Sequence, residues 1–159
     1  MDPLQTTYLS ENLAGFPGMI ANAPSVNGPS KAASETIPFG RLVVLDGLNS
    51  VKLPDVAADV TNLAYGFAIA DTSRQSTAGD ASYTQYEAVS IMQEGTMFIE
   101  TIDAAPLNGL VYIVVGAGAN QGKAASTSGG GTLLKGARFA GPVLAAPGLC
   151  KVVFNVLGN

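Results

Sequence analysis

The sequence has 159 residues, of which 13 % are charged, and its formal net charge is −4 with no histidine. The eight Lys and Arg residues form no cluster, which excludes a nucleic acid as a partner, because binding one requires neutralised phosphates. The length predicts one domain. The charged fraction is about half the ~25 % usual in soluble domains, which predicts a surface covered by another protein or by further copies in a homo-oligomer, a dimer or a trimer. The alternative is a monomer with a neutral Ser, Thr and Gly surface.

No membrane partner and no secretory route are expected. The first residues, MDPLQTTYLSENL, lack the apolar segment of a secretory signal. The longest run of bulky apolar residues, 110–115, has six residues, whereas a membrane helix needs about 20. We therefore expect a protein that is made in the cytoplasm.

Residues 1–36 are predicted to form an extended N-terminal arm with one short helical turn at 10–14. Four prolines in this stretch exclude a continuous helix and a central strand. A solvated tail would expose bulky apolar groups, so an arm that docks on another surface is the better interpretation. The candidate contact residues are the bulky apolar ones: Leu4, Tyr8, Leu9, Leu13, Phe16, Met19 and Ile20.

The remaining residues, 37–159, are predicted to form a single β-sandwich domain. Its first strands are IPFGRLVVL, VKLP and LAYGFAIA, with Gly66 as a bulge or a point of close approach. Between the second and third strands, PDVAADVTN predicts one turn of helix. A polar loop over residues 71–82 then leads to the next strands.

Residues 83–115 are predicted to form three antiparallel strands in a meander. Gln93-Glu94-Gly95 and Pro106 with Asn108-Gly109 supply the two turns. Apolar residues two positions apart form the expected core face. They are Val89, Ile91, Met97, Ile99, Val111 and Ile113. Because Phe98 and Tyr112 lie on the opposite face, we expect that face to be covered as well, as in a sandwich or barrel.

The stretch 116–131 is a Gly-rich loop of sixteen residues with no side chain larger than Lys or Gln, and we expect it to be mobile. Three short strands follow, at 133–139, 142–144 and 150–156. The lone cysteine, Cys150, is predicted to be a small core residue, and no intrachain disulfide can form. With eight or nine strands in total, the sequence predicts an all-β fold, an antiparallel β-sandwich or jelly-roll-like barrel.

The sequence predicts no catalytic residue, no metal site and no cofactor, and therefore no enzyme. VYIVVGAGANQG resembles a dinucleotide-binding turn, but its glycines have a different spacing and no helix-forming segment follows them. The segment does not match the P-loop pattern either. The absence of histidine removes the commonest general base and the usual zinc ligand. The remaining carboxylates are interpreted as solvated loop charges: Asp55, Asp59, Asp71, Asp80 and Glu87.

The order of the segments resembles that of the structural cement proteins that decorate the capsids of tailed bacteriophages. The resemblance covers residues 35–157 and rests on successive segments: IPFGRLVVL, VKLP, YGFAIAD, YEAVSIMQEGTMFIE, NGLVYIVVGAG and GARFAGPVLAAPGLCKVVFNV. It implies a protein made in the host cytoplasm that sits on the outside of the virion's capsid.

The same resemblance implies a function. A cement protein clamps neighbouring capsomers of the major capsid protein and stabilises the shell against internal DNA pressure. The seven arm residues are then the hypothesised capsid-binding residues. The alternative is a lectin-like β-sandwich module of a virion that binds carbohydrate or another surface, which needs an exposed groove lined by some of the five tyrosines.

Overall fold

A computed structural model describes residues 15–23, 27–71, 73 and 81–157, and these residues form thirteen strands and one short helix. The predicted all-β fold is confirmed. The helix, α1, spans Ala57–Leu63. The strands are β1 Ile20–Asn22, β2 Asn27–Ala33, β3 Ile37–Pro38, β4 Leu42–Leu45, β5 Ser50–Lys52, β6 Ala64–Ala68, β7 Ser82–Tyr83, β8 Ala88–Met92, β9 Glu94–Thr101, β10 Leu110–Ile113, β11 Ala124–Ala125, β12 Thr132–Gly141 and β13 Gly148–Asn155.

Two sheets build the body of the fold. Strands β2, β5, β4, β6 and β8 close into a small barrel, in which only the β2–β5 pair is parallel. The second sheet has the order β1-β9-β11-β10-β12-β13, and β9 pairs with β13 as well. That extra pairing runs antiparallel from Gly148↔Thr101 to Asn155↔Glu94. Strands β3 and β7 form a separate two-stranded sheet.

The barrel wall is buried on both of its faces, which explains the unbroken apolar run in β4. Val43 packs inside the barrel, whereas Leu42 and Val44 pack between the barrel and the second sheet. Alternate residues of a strand point to opposite faces, so three consecutive buried residues require two cores. The rings of Phe67 and Phe154 join the two sheets, with their centroids 4.6 Å apart.

The predicted meander is wrong in its strand pairing. All six residues of the expected core face are buried. However, β8 belongs to the barrel, whereas β9 and β10 belong to the second sheet, where β11 lies between them. The chain crosses from one sheet to the other at Gln93 instead of turning back. Period-two alternation specifies which face of a strand is buried and leaves its partners open, because either neighbour can cover the same face.

The segment predicted as an arm contains two strands. β1 pairs with β9, and β2 pairs with β5 and β8 in the barrel. Pro29 is tolerated within β2 because the β2–β8 register shifts between Gly28 and Lys31, so that no ladder bond is required of it. The predicted domain boundary at residue 36 therefore does not separate an arm without strands from a domain with strands. That the arm acts as an independent unit stays a prediction. The helical turn expected at 10–14 lies outside the described residues.

Two local predictions agree with the structure. The helix α1 overlaps the stretch expected to form one turn of helix, residues 54–62, and ends one residue beyond it. At Gly66 the φ angle is +157°, and the β4–β6 register shifts beside it. A Cβ at this position would lie 2.4 Å from the carbonyl oxygen of Met92. Only glycine therefore permits the backbone of β8 to approach this closely.

Candidate binding surfaces

The hypothesised arm contacts fall into two groups. Leu4, Tyr8, Leu9 and Leu13 lie outside the described residues. Phe16 is 39 % exposed and Met19 is half-buried, whereas Ile20 packs against the core between the two sheets. Of the three described candidates, Phe16 therefore presents the most surface to a partner, and Ile20 serves this chain's own fold.

The base of the arm is attached to β9 and to the segment that follows β6 by backbone hydrogen bonds. Gly18 donates to the carbonyl of Phe98 at 2.9 Å, and Phe98 donates to that of Met19 at the same distance. Ala70 donates to the carbonyl of Gly18 at 2.9 Å. A Cβ at Gly15 would lie 2.6 Å from the Phe98 ring, so the arm covers that ring. This contact explains why Phe98 is buried on the face opposite the core.

The Gly-rich loop over residues 116–131 is packed against the barrel, which corrects the expectation that it is mobile. Arg41 is 8 % exposed, and its guanidinium donates to the carbonyls of Gln121 at 2.6 Å and Ala119 at 3.0 Å. Within the loop, Ala124 and Ala125 form β11 between β9 and β10. Small side chains here allow close backbone contact with neighbouring strands, and this contact orders the loop.

Burial lowers the pKa of Arg41, and the carboxylate of Glu100 at 3.8 Å acts in the opposite direction. Lys123, which lies in the loop, also faces this carboxylate, at 3.2 Å. Two cations from different segments therefore share one carboxylate on β9. This sharing holds the loop beside the second sheet.

A second polar cluster connects the loop to the start of α1. The side-chain amide of Gln121 donates to the carbonyl of Pro54 at 3.1 Å and to Asp55 Oδ1 at 3.0 Å. Lys52 Nζ donates to Asp55 Oδ2 at 2.6 Å, and this bond raises the pKa of Lys52 and lowers the pKa of Asp55. Asp59 accepts from the backbone N–H groups of Asp55 and Val56, which begins the helix.

Among the carboxylates weighed as candidates for chemistry, Asp55 pairs with side chains, whereas Asp59 and two others accept hydrogen bonds from backbone N–H groups. Asp71 accepts from the backbone N–H and hydroxyl of Ser73, and Glu87 accepts from the N–H of Thr84. Asp80 lies outside the described residues. The described residues hold no group of three or more Cys, Asp or Glu placed to bind a metal ion.

Two shallow clefts mark the described surface. The larger has a volume of about 340 Å³ and lies at the base of the arm, beside Pro17, Glu100 and Lys123. The smaller has a volume of about 140 Å³, between α1 and β12. Neither is lined by a tyrosine. Neither of these two clefts therefore supplies the Tyr-lined groove that the lectin-like alternative needs.

An exposed apolar surface is formed by two neighbouring loops, residues 104–110 and 141–147, which we call the apolar loop pair. Ala105 and Leu144 exchange backbone hydrogen bonds of 2.9 and 3.1 Å, and Asn108 donates to the carbonyl of Phe139 at 2.9 Å. Leu107 is 57 % exposed and Val143 is 66 % exposed. Neither loop contains a charged residue. An ordered, uncharged patch of this kind is typical of a protein-binding surface.

Sequence reasoning did not find this surface. A signal was present, because both loops read as apolar segments without charge, APLNGL and GPVLAAPG. The first was interpreted as a turn and the second as a strand at 142–144, which the structure reduces to an isolated bridge at Leu144. The sequence does not show that these two loops, which are more than thirty residues apart, lie next to each other.

Comparisons with known proteins agree with the fold. The sequence matches the family described as structural cement protein (E217 gp24/Pam3 gp6) over residues 4–155. A chain from the capsid of Myoviridae phage XM1 superposes with a TM-score of 0.71 at 20 % identity, covering 96 % of this chain and 98 % of that one. No curated protein matches the sequence. The part of the chain that the structure describes contains no helix with the length and hydrophobicity needed to span a bilayer.

Proposed function

The chain belongs to the family of phage structural cement proteins, and we propose that it binds the outside of a phage head and clamps neighbouring capsomers of the major capsid protein. A structural role in the capsid of a virion follows from family membership. The position on the exterior, the clamping and the resistance to internal DNA pressure are the proposal. The observation that carries it is the apolar loop pair, an ordered and uncharged surface that this chain leaves exposed.

The apolar loop pair suits a contact that must form without a large desolvation cost. An uncharged surface has no ion to strip of water, and each well-buried apolar side chain contributes about 1.5–3 kcal/mol. Leu107 and Val143 stand on loops whose backbones are already held together. Little conformational entropy is therefore lost when a partner covers them.

The arm is the second proposed contact. Phe16 is exposed where the arm leaves β9, and Leu4, Tyr8, Leu9 and Leu13 precede it in the sequence. An arm that docks on another surface, as the sequence predicts, would contact a capsomer next to the one beneath the body.

Clamping stabilises a shell through mass action. A protein that binds only the assembled state contributes RT ln(1 + [L]/Kd) per site, which is about 2.7 kcal/mol at one hundred times Kd. A symmetric shell repeats the same site many times, so modest contributions accumulate over the particle. A homo-oligomer that holds several sites gains further through effective concentration. We therefore retain a homo-oligomer as part of the proposal, to be tested by light scattering of the isolated protein.

The proposal includes no chemistry. The carboxylates discussed above are bound to backbone N–H groups or paired with Lys52, Arg41 and Lys123. The function expected of this arrangement is structural, in agreement with the family. Neither a nucleic acid nor a membrane is a proposed partner.

The decisive experiment uses heads of the phage that encodes this protein, prepared with and without it. Genome release on heating is followed with a DNA-binding dye at low salt and at about 1 M salt. We expect heads with the protein to release DNA at a higher temperature under both conditions, because apolar contacts are only weakly screened. Equal release temperatures with and without the protein would refute the cement function. Loss of protection only at 1 M salt would instead assign the binding to ion pairs.

A further inference from the structure

Tyr86 is an exposed aromatic residue with a backbone conformation that residues other than glycine and asparagine rarely adopt. It is 81 % exposed, with a φ angle of +71°. It occupies the third position of a turn in which Glu87 donates to the carbonyl of Thr84 at 3.1 Å. A positive φ at this position normally calls for glycine or asparagine. Asn108 shows the usual solution, with a φ angle of +59° in the turn that Gly109 closes on Pro106.

The turn that carries Tyr86 is fixed on several sides. Tyr86 donates its N–H to the carbonyl of Ala33 at 2.7 Å, and Gln85 donates its side-chain amide to the carbonyl of Ser34 at 2.8 Å. The N–H of Thr84 donates to the carboxylate of Glu87 at 2.7 Å. The strained residue is thus held in place by the end of β2. Binding through a ring on such a support costs little backbone entropy.

Leu48 is held in the same way on the opposite side of β2. It is 88 % exposed, at the tip of the turn that Asp46 closes on the carbonyl of Ser50 at 2.9 Å. Lys31, on β2, donates to the carbonyl of Leu48, and Ser34 donates its hydroxyl to the Asp46 carboxylate. Among the described residues, Leu48 and Tyr86 are the two most exposed large apolar side chains, and β2 connects their turns.

The charges around these two side chains are mostly negative. Asp46 and Glu87 stand on the two turns that carry them, and Glu35 follows β2, with Lys31 on β2 as the cation. The next cation along β5, Lys52, is bonded to Asp55 at 2.6 Å. Two copies of such a surface would repel each other, whereas a partner with Lys or Arg beside an apolar pocket would be attracted.

We propose that Leu48 and Tyr86 form a second contact surface, on the barrel, that inserts into an apolar pocket bordered by basic side chains on a capsid protein. This inference rests on the proposed function and adds the chemistry of one partner site. The barrel surface and the apolar loop pair belong to different sheets of the fold. Two separate surfaces are what a protein needs in order to hold two capsomers at once.

The test compares Tyr86→Gly with Leu157→Gly, which also removes a largely exposed apolar side chain but lies outside the proposed contact surfaces. The probe is the purified head lacking this protein, titrated with each variant at fixed salt. Relief of backbone strain should leave the Tm of Tyr86→Gly at the parent value or up to about 4 °C above it. Its Kd for the head should rise at least about tenfold, as for a central aromatic contact. Leu157→Gly should bind as the parent does.

Each other result is decisive. If the parent protein binds heads and Tyr86→Gly binds with the same Kd, this inference is wrong and the cement function stands. If the parent does not bind heads, the cement function itself is wrong. Loss of self-association by Tyr86→Gly with unchanged head binding would make a second copy the occupant and overturn the proposal. Salt should slow association and leave dissociation unchanged, and an association rate insensitive to salt would refute the basic border.

Discussion

At the scale of single residues, Arg41 decides the order of the Gly-rich loop. It is the only described charged residue that is buried and bonded to two loop carbonyls, those of Ala119 and Gln121. Its Nε has no hydrogen-bond partner among the described atoms, so the side chain's own desolvation is only partly compensated. The two hydrogen bonds to loop carbonyls offset part of the cost of burying this charge, so the loop's position matters to the fold.

We predict that Arg41→Gln releases the loop and lowers the free energy of unfolding by about 2–4 kcal/mol, because two carbonyls lose a charged donor. Chemical denaturation measures the loss, and tryptic cleavage after Lys123 reports the loop. Arg138→Gln, at an exposed position on β12, is the matched control and should change neither readout. Resistance of Arg41→Gln to cleavage after Lys123 would show that the backbone contacts of the loop suffice.

At the scale of elements, β6 shows how one missing side chain permits a barrel to close. The carbonyl of Met92 on β8 occupies the space that a Cβ of Gly66 would need. Gly118, in the Gly-rich loop, has a similar φ angle of +151° but no atom within 4 Å of its hypothetical Cβ. A comparison of alanine substitutions at these two glycines therefore distinguishes the cost of backbone strain from the cost of a steric clash.

We predict that Gly66→Ala and Gly118→Ala both pay about 1–3 kcal/mol for backbone strain, and that Gly66→Ala loses a further ~1–3 kcal/mol because β8 must move. Urea denaturation of the two variants measures the difference in unfolding free energy. Equal losses would mean that β6 and β8 separate easily and that the close approach at residue 66 is not needed for the barrel.

The strand β2 belongs to the same scale, because it completes the barrel from within the predicted arm. Its partners are β5 on one side and β8 on the other, and Ala33 is buried between them. A closed barrel that loses one strand gains two unpaired edges. The stability of the body should therefore depend on residues that the sequence assigned to a binding arm.

We predict that deleting residues 1–33 lowers the unfolding free energy by more than about 5 kcal/mol, a large part of the 5–15 kcal/mol typical of a domain. Deleting residues 1–14 keeps every described strand and is the matched control. Thermal unfolding followed by circular dichroism compares the two. If both truncated proteins melt at the same temperature, β2 does not contribute to the fold and the boundary at residue 36 would be restored.

At the scale of the whole molecule, the apolar loop pair on one sheet and the Leu48–Tyr86 surface on the other give the protein separate places for contact. The low charge of the chain, 13 % of residues, thus corresponds to particular exposed loops. The exposed apolar side chains need not be a liability in this arrangement, because partners in an assembled shell would cover them.

We predict that Leu107→Asp combined with Val143→Asp lowers head occupancy at least about tenfold, because binding would bury two carboxylates in an apolar contact. The Tm should change by less than about 2 °C, since both side chains are largely exposed. Leu157→Asp, at a position 53 % exposed after β13, is the control and should bind as the parent does. Unchanged occupancy of the double variant would remove the apolar loop pair from the proposed contact.

Much of the fold could be predicted from the sequence because it depends on local rules. Alternating apolar residues identified the buried face of β8, β9 and β10, and Cys150 is in the core as expected. The segment order and its family resemblance led to the cement family, which the match over residues 4–155 confirms. The absence of histidine and of a nucleophile motif made a structural protein the expected class, in agreement with the family.

Only the tertiary structure decided strand partners and surfaces. It placed β8 in the barrel and β9 in the second sheet, and it drew β2 from the predicted arm into the barrel. It ordered the Gly-rich loop through Arg41, about eighty residues away in sequence, and it brought the apolar loop pair together. The physical reason is that side-chain periodicity records burial, which is local, whereas pairing depends on backbone hydrogen bonds that any strand can offer to any other.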